Sequence, residues 1–301
     1  MNCALVGTTK IASIHLKELL KVNFKKIYIV SRSKEKAENF LKKYKFKDKR
    51  ILIVSKSILS KKISCVDICA STKHHHIFLN YLKKKKSFII MEKPIISFTL
   101  FRKNFLYEID KIFKNHKKIV TCNPMFFFAK SFIKNFKREI PKKIDNLEIY
   151  YHTNGSKTFN EIPIDLLTHI IDFIHEILRH KKVKINSIEK KLLKKNKQSW
   201  FYFGYLNKKI KLKISLKENK SLIKSKFYFK INTDKYLRET KVDKNNFLNF
   251  IHFKNKKIKI KNPMVQFLQL SLKNINNFKF IKKNQLLTRN TMRIKQSLID
   301  N

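Results

Sequence analysis

The chain has 301 residues, of which 43% are apolar and 30% charged; it can bury one or two cores, and wholesale disorder is excluded. Its formal net charge is +49, from 70 Lys and Arg against 21 Asp and Glu. No apolar run approaches the roughly 20 residues of a membrane span.

An apolar strand over Cys3–Gly7 opens the chain. The turn Gly7-Thr8-Thr9-Lys10-Ile11-Ala12 and a helix to about Val22 follow. In the dinucleotide fingerprint G-x-G-x-x-G/A, the first position turns the chain, the second admits pyrophosphate and the third packs helix on strand. Gly7 and Ala12 fit, and Thr9 replaces the second glycine, where its hydroxyl is available to phosphate. The helix start attracts an anion. A second strand, Lys26–Val30, ends in Ser31-Arg32. An acidic residue there would hold a ribose 2′-hydroxyl, whereas hydroxyls and a cation suit a 2′-phosphate, so NADP is expected and NAD is the alternative.

Helix 34–44, strand 51–54 and a short connection continue the alternation. An apolar run at Val66–Ala70 then breaks at Ser71-Thr72-Lys73. A helix follows, with Ile77, Phe78 and Leu82 on one face. The strand Phe88–Met91 ends at Glu92-Lys93-Pro94. This is a βαβ unit, and Lys93 stands at the carboxyl end of its second strand, where parallel sheets bind ligands. A helix over 99–115, a strand over 118–122 and a helix over 129–138 complete the first half.

The pattern changes near Asp145. Strand Leu147–Tyr151 leads to Pro163-Ile-Asp165, with His169 one helical turn beyond Asp165 on the same face. Strands over 182–188, 199–206, 208–217, 226–232 and 235–240 read as largely antiparallel sheet. Ile210, Leu212, Ile214 and Leu216 alternate with lysines, giving one dry and one wet face. Trp200–Leu206 is apolar on both faces, so its outer face calls for a cover such as a partner subunit. Helices over 263–272 and 289–299 close the chain.

The His75-to-Glu92 spacing inside the βαβ unit, the Gly7 turn and the Asp165–His169 helix together resemble the Gfo/Idh/MocA oxidoreductases. The resemblance implies α/β plus α+β architecture: an N-terminal Rossmann doubly wound parallel sheet over 1–122, and a substrate and oligomerisation domain over 123–301 built on a mixed or antiparallel sheet. It implies a hydride transfer between NAD(P) and a hydroxyl or carbonyl of a sugar, sugar nucleotide or polyol. Lys93, His169 and Asp165 would be catalytic, with the lysine polarising the oxygen and the histidine exchanging the alcohol proton. Gly7, Thr8, Thr9, Lys10, Ile11, Ser31, Arg32, Ala70, Ser71, Thr72, His75, Glu92 and Lys93 would contact the cofactor. His15 matches a histidine of the family's first helix, and Asp172 also fits. The family's glycines ahead of the Asp–His helix are missing, as is the arginine expected soon after Asn123. A family member that kept the fold but lost efficient catalysis, acting as a scaffold, is the alternative.

The charge by itself would suit a nucleic-acid or anionic-membrane binder. However, the lysines are spread along the whole chain. Lys, Ile, Asn, Phe and Tyr have AT-rich codons, while Gly, with GC-rich codons, numbers only 3. Compositional drift accounts for both trends, so neither nucleic acid nor membrane is an expected partner. Cys3, Cys65, Cys69 and Cys122 lack zinc-knuckle spacing and read as reduced thiols, with no metal expected. The opening MNCALVG has no basic stretch followed by an apolar one, and a cytoplasmic location is expected.

Overall fold

The computed structural model describes residues 1–83, 85–155, 158–179, 183–193, 199–220, 225–243 and 246–300. It forms two compact units: Met1–Asn123 with Met264–Asn290, and Pro124–Pro263 with Thr291–Asn301.

The first unit alternates β1 (Asn2–Val6), α1 (Lys10–Leu20), β2 (Lys26–Val30), α2 (Lys34–Lys43), β3 (Ile51–Val54), β4 (Cys65–Ile68), α3 (His75–Leu82) and β5 (Phe88–Met91), followed by α4 (Phe98–Phe101), α5 (Phe105–Asn115) and β6 (Ile119–Thr121). All pairings are parallel, in the order β3-β2-β1-β4-β5-β6. The order reverses beside β1, the switch point at which doubly wound sheets bind ligands. The central strands β4 and β5 are buried on both faces, which is why they do not alternate: β5 reads as a continuous apolar run, and β4 as one broken only by Asp67. The helix expected over 99–115 is two, with a 3-10 turn at Arg102–Asn104 between them. On α3 the buried face is His75, Leu79 and Leu82, not the one carrying Ile77, which is 39% exposed.

Near the C-terminus, α8 (Pro263–Lys273) and the first part of α9 (Phe278–Asp300) also belong to this unit. Gln269 of α8 donates to Glu18 of α1 at 2.8 Å. Asn284 of α9 accepts from the Thr121 amide at 2.7 Å and donates to its carbonyl at 3.0 Å.

The second unit begins with α6 (Pro124–Asn135), β7 (Asn146–Thr153) and α7 (Glu161–Ile177). The strands β8 (Ile185–Leu193), β9 (Ser199–Leu206), β10 (Ile210–Glu218), β11 (Lys226–Ile231), β12 (Asp234–Asp243), β13 (Asn246–Phe253) and β14 (Lys256–Ile260) follow. The eight strands form one sheet in the order β14-β13-β12-β11-β7-β10-β9-β8. The sheet is mixed, because β7 and β10 pair in parallel across an intervening crossover that includes α7. Two expectations shift here. The helix placed over 129–138 starts at Pro124, whose fixed φ suits a first helical position. The chain beyond Thr240 adds β13 and β14, which the sequence did not announce. Lys182, the first residue of the strand expected over 182–188, lies outside the described residues.

Both α6 and α7 pack on the sheet through an aromatic core. Phe128 and Phe132 of α6 and Phe136, the residue just past its end, recur every four residues and are all buried. Phe132 meets Phe229 edge-on at 4.9 Å, and Phe173 of α7 meets it at 4.7 Å. Tyr236 stacks on Phe229 at 5.1 Å and on Phe253 at 4.4 Å. Phe229, fully buried amid these rings, is the packing centre. Phe229→Ala should therefore destabilise this unit by about 3–5 kcal/mol, read by denaturant unfolding.

Candidate functional site

The turn from β1 into α1 sets the site. Gly7 has φ +108° and donates its amide to Val30 at 2.9 Å. A Cβ at Gly7 would stand 2.9 Å from the backbone of Cys69 and Ala70, so only glycine fits where the β1 and β4 ends approach. Thr9, in place of the second glycine, is the N-cap of α1, and its hydroxyl oxygen accepts from the Ala12 amide at 3.2 Å. The threonine thus satisfies one of the helix-start amides itself.

Gly7, Thr8, Thr9, Lys10, Ser31, Arg32, Ala70 and Ser71 line one groove of about 1400 Å³. That exceeds the roughly 300–1,000 Å³ of ordinary small-ligand sites, leaving room for a dinucleotide. Lys10, Arg32, Lys34, Lys36, Lys43, Lys56 and Lys73 also line it, and among the described residues no carboxylate does. Arg32 is exposed, and Ser31 approaches Thr8, oxygen to oxygen, at 3.5 Å. Sequence reasoning did not reach Lys36, Lys43 or Tyr44. They fall at i, i+7 and i+8 on α2, a helical spacing that would have put them on one face. Ile77 and Phe78 join the groove from α3.

Among the described residues the groove lining does not include Ile11, Thr72, His75, Glu92 or Lys93. Ile11 is 37% exposed in the first turn of α1, and Thr72 opens a short 3-10 turn. His75 is buried: Nε2 lies 2.9 Å from the Ala70 carbonyl, and Nδ1 lies 3.1 Å and 3.3 Å from those of Pro94 and Ile95. Burial lowers its pKa, and the carbonyls oppose that. The ring ties the loop after β4 to the chain just past Lys93. Lys93 itself is half-buried and is joined to Pro94 by a cis peptide bond.

Glu92 is held from the other side. His15, fully buried on α1, approaches Asp67 of β4 through Nδ1 at 2.8 Å and Glu92 through Nε2 at 3.1 Å. Burial, the largest single effect, pushes the imidazole toward neutrality, but the Asp67 charge together with the neighbouring Cys69 and the hydrogen bonds to Asp67 and Cys122 outweighs it and holds the pKa well above the ordinary value. When protonated, His15 donates from both nitrogens to the two carboxylates, and Cys69 and Cys122 lie close by. Burial would raise Glu92, yet its His15 bond keeps the carboxyl below its usual range. Burial also drives the Cys3, Cys69 and Cys122 thiols up, which leaves them protonated and unreactive.

In the second unit, Asp165 and His169 lie one turn apart on α7 and are both half-buried. The His169 ring meets Tyr151 of β7 edge-on at 5.6 Å. Asp172 is buried instead, accepting from the Thr291 hydroxyl at 2.8 Å.

Residues 1–123 match the Gfo/Idh/MocA family, described as an oxidoreductase family with an NAD-binding Rossmann fold. No curated protein matches the chain by sequence. A likeness of fold to solved dehydrogenases and reductases extends over the whole chain. UDP-N-acetylglucosamine 3-dehydrogenase from Acidithiobacillus ferrooxidans superposes with TM-score 0.66 at 10% identity, covering 100% of this chain and 99% of that one. A Clostridium difficile dehydrogenase gives 0.67 at 15% identity, covering 100% and 99%. Biliverdin reductase from Synechocystis, solved with biliverdin and NADP+, gives 0.66 at 9% identity, covering 99% and 98%. At these identities the likeness is one of fold. The match to an NAD-binding oxidoreductase family supports NAD(P)-binding oxidoreductase activity. Among the described residues no helix is long and apolar enough to cross a membrane.

The buried triad gives a signed expectation. His15 contributes stability that is complete below the ordinary histidine pKa of about 6.5 and declines as pH rises through its higher folded value. Glu92 runs the other way, its contribution fading as pH falls through its lowered folded value. His15→Leu should cost about 3–5 kcal/mol at neutral pH, because it strands two buried carboxylates. Adding Glu92→Gln should recover part of that loss, read by urea unfolding across pH.

Proposed function

We propose that this protein is an NADP-dependent dehydrogenase or reductase acting on a hydroxyl or carbonyl of a sugar, sugar nucleotide or polyol. The observation that carries the cofactor choice is the groove lined by Arg32, Ser31 and further lysines without a carboxylate. A 2′-phosphate brings extra negative charge that such a lining pairs, whereas a bare ribose 2′-hydroxyl calls for a carboxylate, and none lines the groove among the described residues. Gly7, Thr8, Thr9, Lys10, Ala70 and Ser71 would hold the pyrophosphate and nicotinamide halves, with His75 and Glu92 fixing the backbone behind them. When bound, the nicotinamide supplies or accepts the hydride. Lys93 donates to the substrate oxygen and so favours the charge that develops there. His169 takes or returns the hydroxyl proton, and Asp165, one turn away, orients the imidazole.

The sugar class is supported by the Acidithiobacillus ferrooxidans neighbour, a UDP-N-acetylglucosamine 3-dehydrogenase. The outer face of the second sheet carries Tyr150 stacked on Tyr228 at 4.2 Å, with Phe201 and Phe203 on β9. We expect a second copy of the chain to cover this face.

NADP should raise the thermal midpoint more than NAD, and Arg32→Asp should move the preference toward NAD by about tenfold or more. Equal responses to both dinucleotides in the unmodified chain would remove the NADP assignment. In a panel of sugars and sugar nucleotides, Lys93→Ala and His169→Ala should each lower kcat by about 10²–10⁴-fold with dinucleotide binding intact.

A further inference from the structure

We propose that Arg238 of β12 is an oxyanion subsite, taking the carboxylate or phosphate group of a small-molecule ligand. That the ligand is the substrate rests on the oxidoreductase reading; the subsite itself does not.

Arg238 pairs with Phe227 of β11, and Phe227 pairs with Tyr151 of β7. Residues paired in this way project to the same side of a sheet, and Phe227 and Tyr151 belong to or pack against the core on the α6 and α7 side. Two strand spacings, roughly 10 Å, separate Arg238 from Tyr151, and Tyr151 is the ring that touches His169. The arginine therefore shares its sheet face with the candidate proton-transfer histidine.

Its partners do not neutralise it. Nη1 donates to the Met125 thioether at 3.0 Å, a weak acceptor. Nη2 donates to the Asn249 side-chain carbonyl at 3.0 Å, an oxygen that also accepts from the Thr240 hydroxyl at 3.1 Å. The guanidinium lies over the Phe128 ring at 5.1 Å, and its Nε is buried with no acceptor. None of these partners is a carboxylate. Met125 also stands in the first turn of α6, where the helix end is itself positive.

A cation held against aromatic rings without a counter-charge is costly to the folded chain. Asn249 and Phe128 fix the plane of the fork, and the remaining protons suit an anion with two oxygens. The side chain is half-buried, so part of it meets solvent. Arg238 brings a cation from a distant strand to the start of α6, at Met125 and Phe128.

The deciding comparison is thermal unfolding of the full chain and Arg238→Met in chloride and in inorganic phosphate at equal ionic strength. The many lysines respond alike in both proteins, so the difference between the two isolates Arg238. Phosphate should raise the midpoint of the unmodified chain more than that of Arg238→Met. In chloride the variant should melt at the same temperature or higher, since an uncompensated charge is gone. Arg238→Lys, which keeps the charge and loses the fork, should show a reduced phosphate response. NADP should stabilise all three equally. Turnover with glucose, glucuronate and glucose 6-phosphate then separates the two oxyanions. The favoured one should lose about tenfold or more in KM on Arg238→Met. Identical phosphate responses in the unmodified chain and both variants would overturn the subsite and leave Arg238 as a packing residue. A phosphate difference without any NADP response would keep the subsite and remove the oxidoreductase reading instead.

Discussion

Three charges sealed from water organise the first unit. His15, from the first helix, sits between Asp67 of β4 and Glu92 at the end of β5. Each carboxylate alone would be expensive to bury, and so would the imidazolium; together each supplies the counter-charge the others need. Because the three come from separate elements, the helix and two strands cannot shift independently without exposing an unpaired charge. Glu92 directly precedes Lys93, and His75 grips the carbonyls just beyond it. One histidine thus holds the Glu92 side chain before this lysine, and another holds the backbone carbonyls after it. The fold positions that lysine through its main chain, a firmer hold than contacts to a long flexible side chain.

The groove at the switch point obeys a different constraint. Parallel strands aim their ends, and the helix starts that follow them, at one crevice. Here that crevice is lined by basic side chains. Compositional drift explains why lysines are abundant, and it leaves open why acids are missing from this one surface. In the turn from β1 into α1, Thr9 stands where the fingerprint has its second glycine, and it caps the helix from within. It thereby supplies local stability of its own, while Gly7 keeps a close approach to Cys69 and Ala70 that tolerates no side chain.

The alternation of strands and helices was readable, since parallel sheets need continuous apolar strands and amphipathic crossovers. So was the clustering of Gly7, Ser31, Arg32 and Ser71, because strand ends converge in such a sheet. Other features were hidden for identifiable reasons. Strand β13 carries the buried Asn249 among Phe and Ile residues, which blurs the two-residue period. The start of α6 lies in a phenylalanine run that reads equally as a loop, because all its faces are apolar. Asp67 did leave a signal: a carboxylate inside an otherwise apolar strand demands a buried partner. His15, on a helix crossing that strand, was the available cation. Arg238 gave no such sign, for its setting arises from strand register alone.

With so little glycine, the chain turns its corners by other means. Lys45 after α2, Arg179 after α7, Asn207 and Lys208 between β9 and β10, Asn232 between β11 and β12, and Lys254 between β13 and β14 all adopt left-handed backbone angles. Asparagine tolerates that region, but lysine and arginine are strained there by roughly 1–2 kcal/mol each. The architecture persists with bends that its own building blocks resist. At each of these lysine and arginine corners a glycine would meet the same backbone angles without that cost, so the bends are where single Gly substitutions would add most stability.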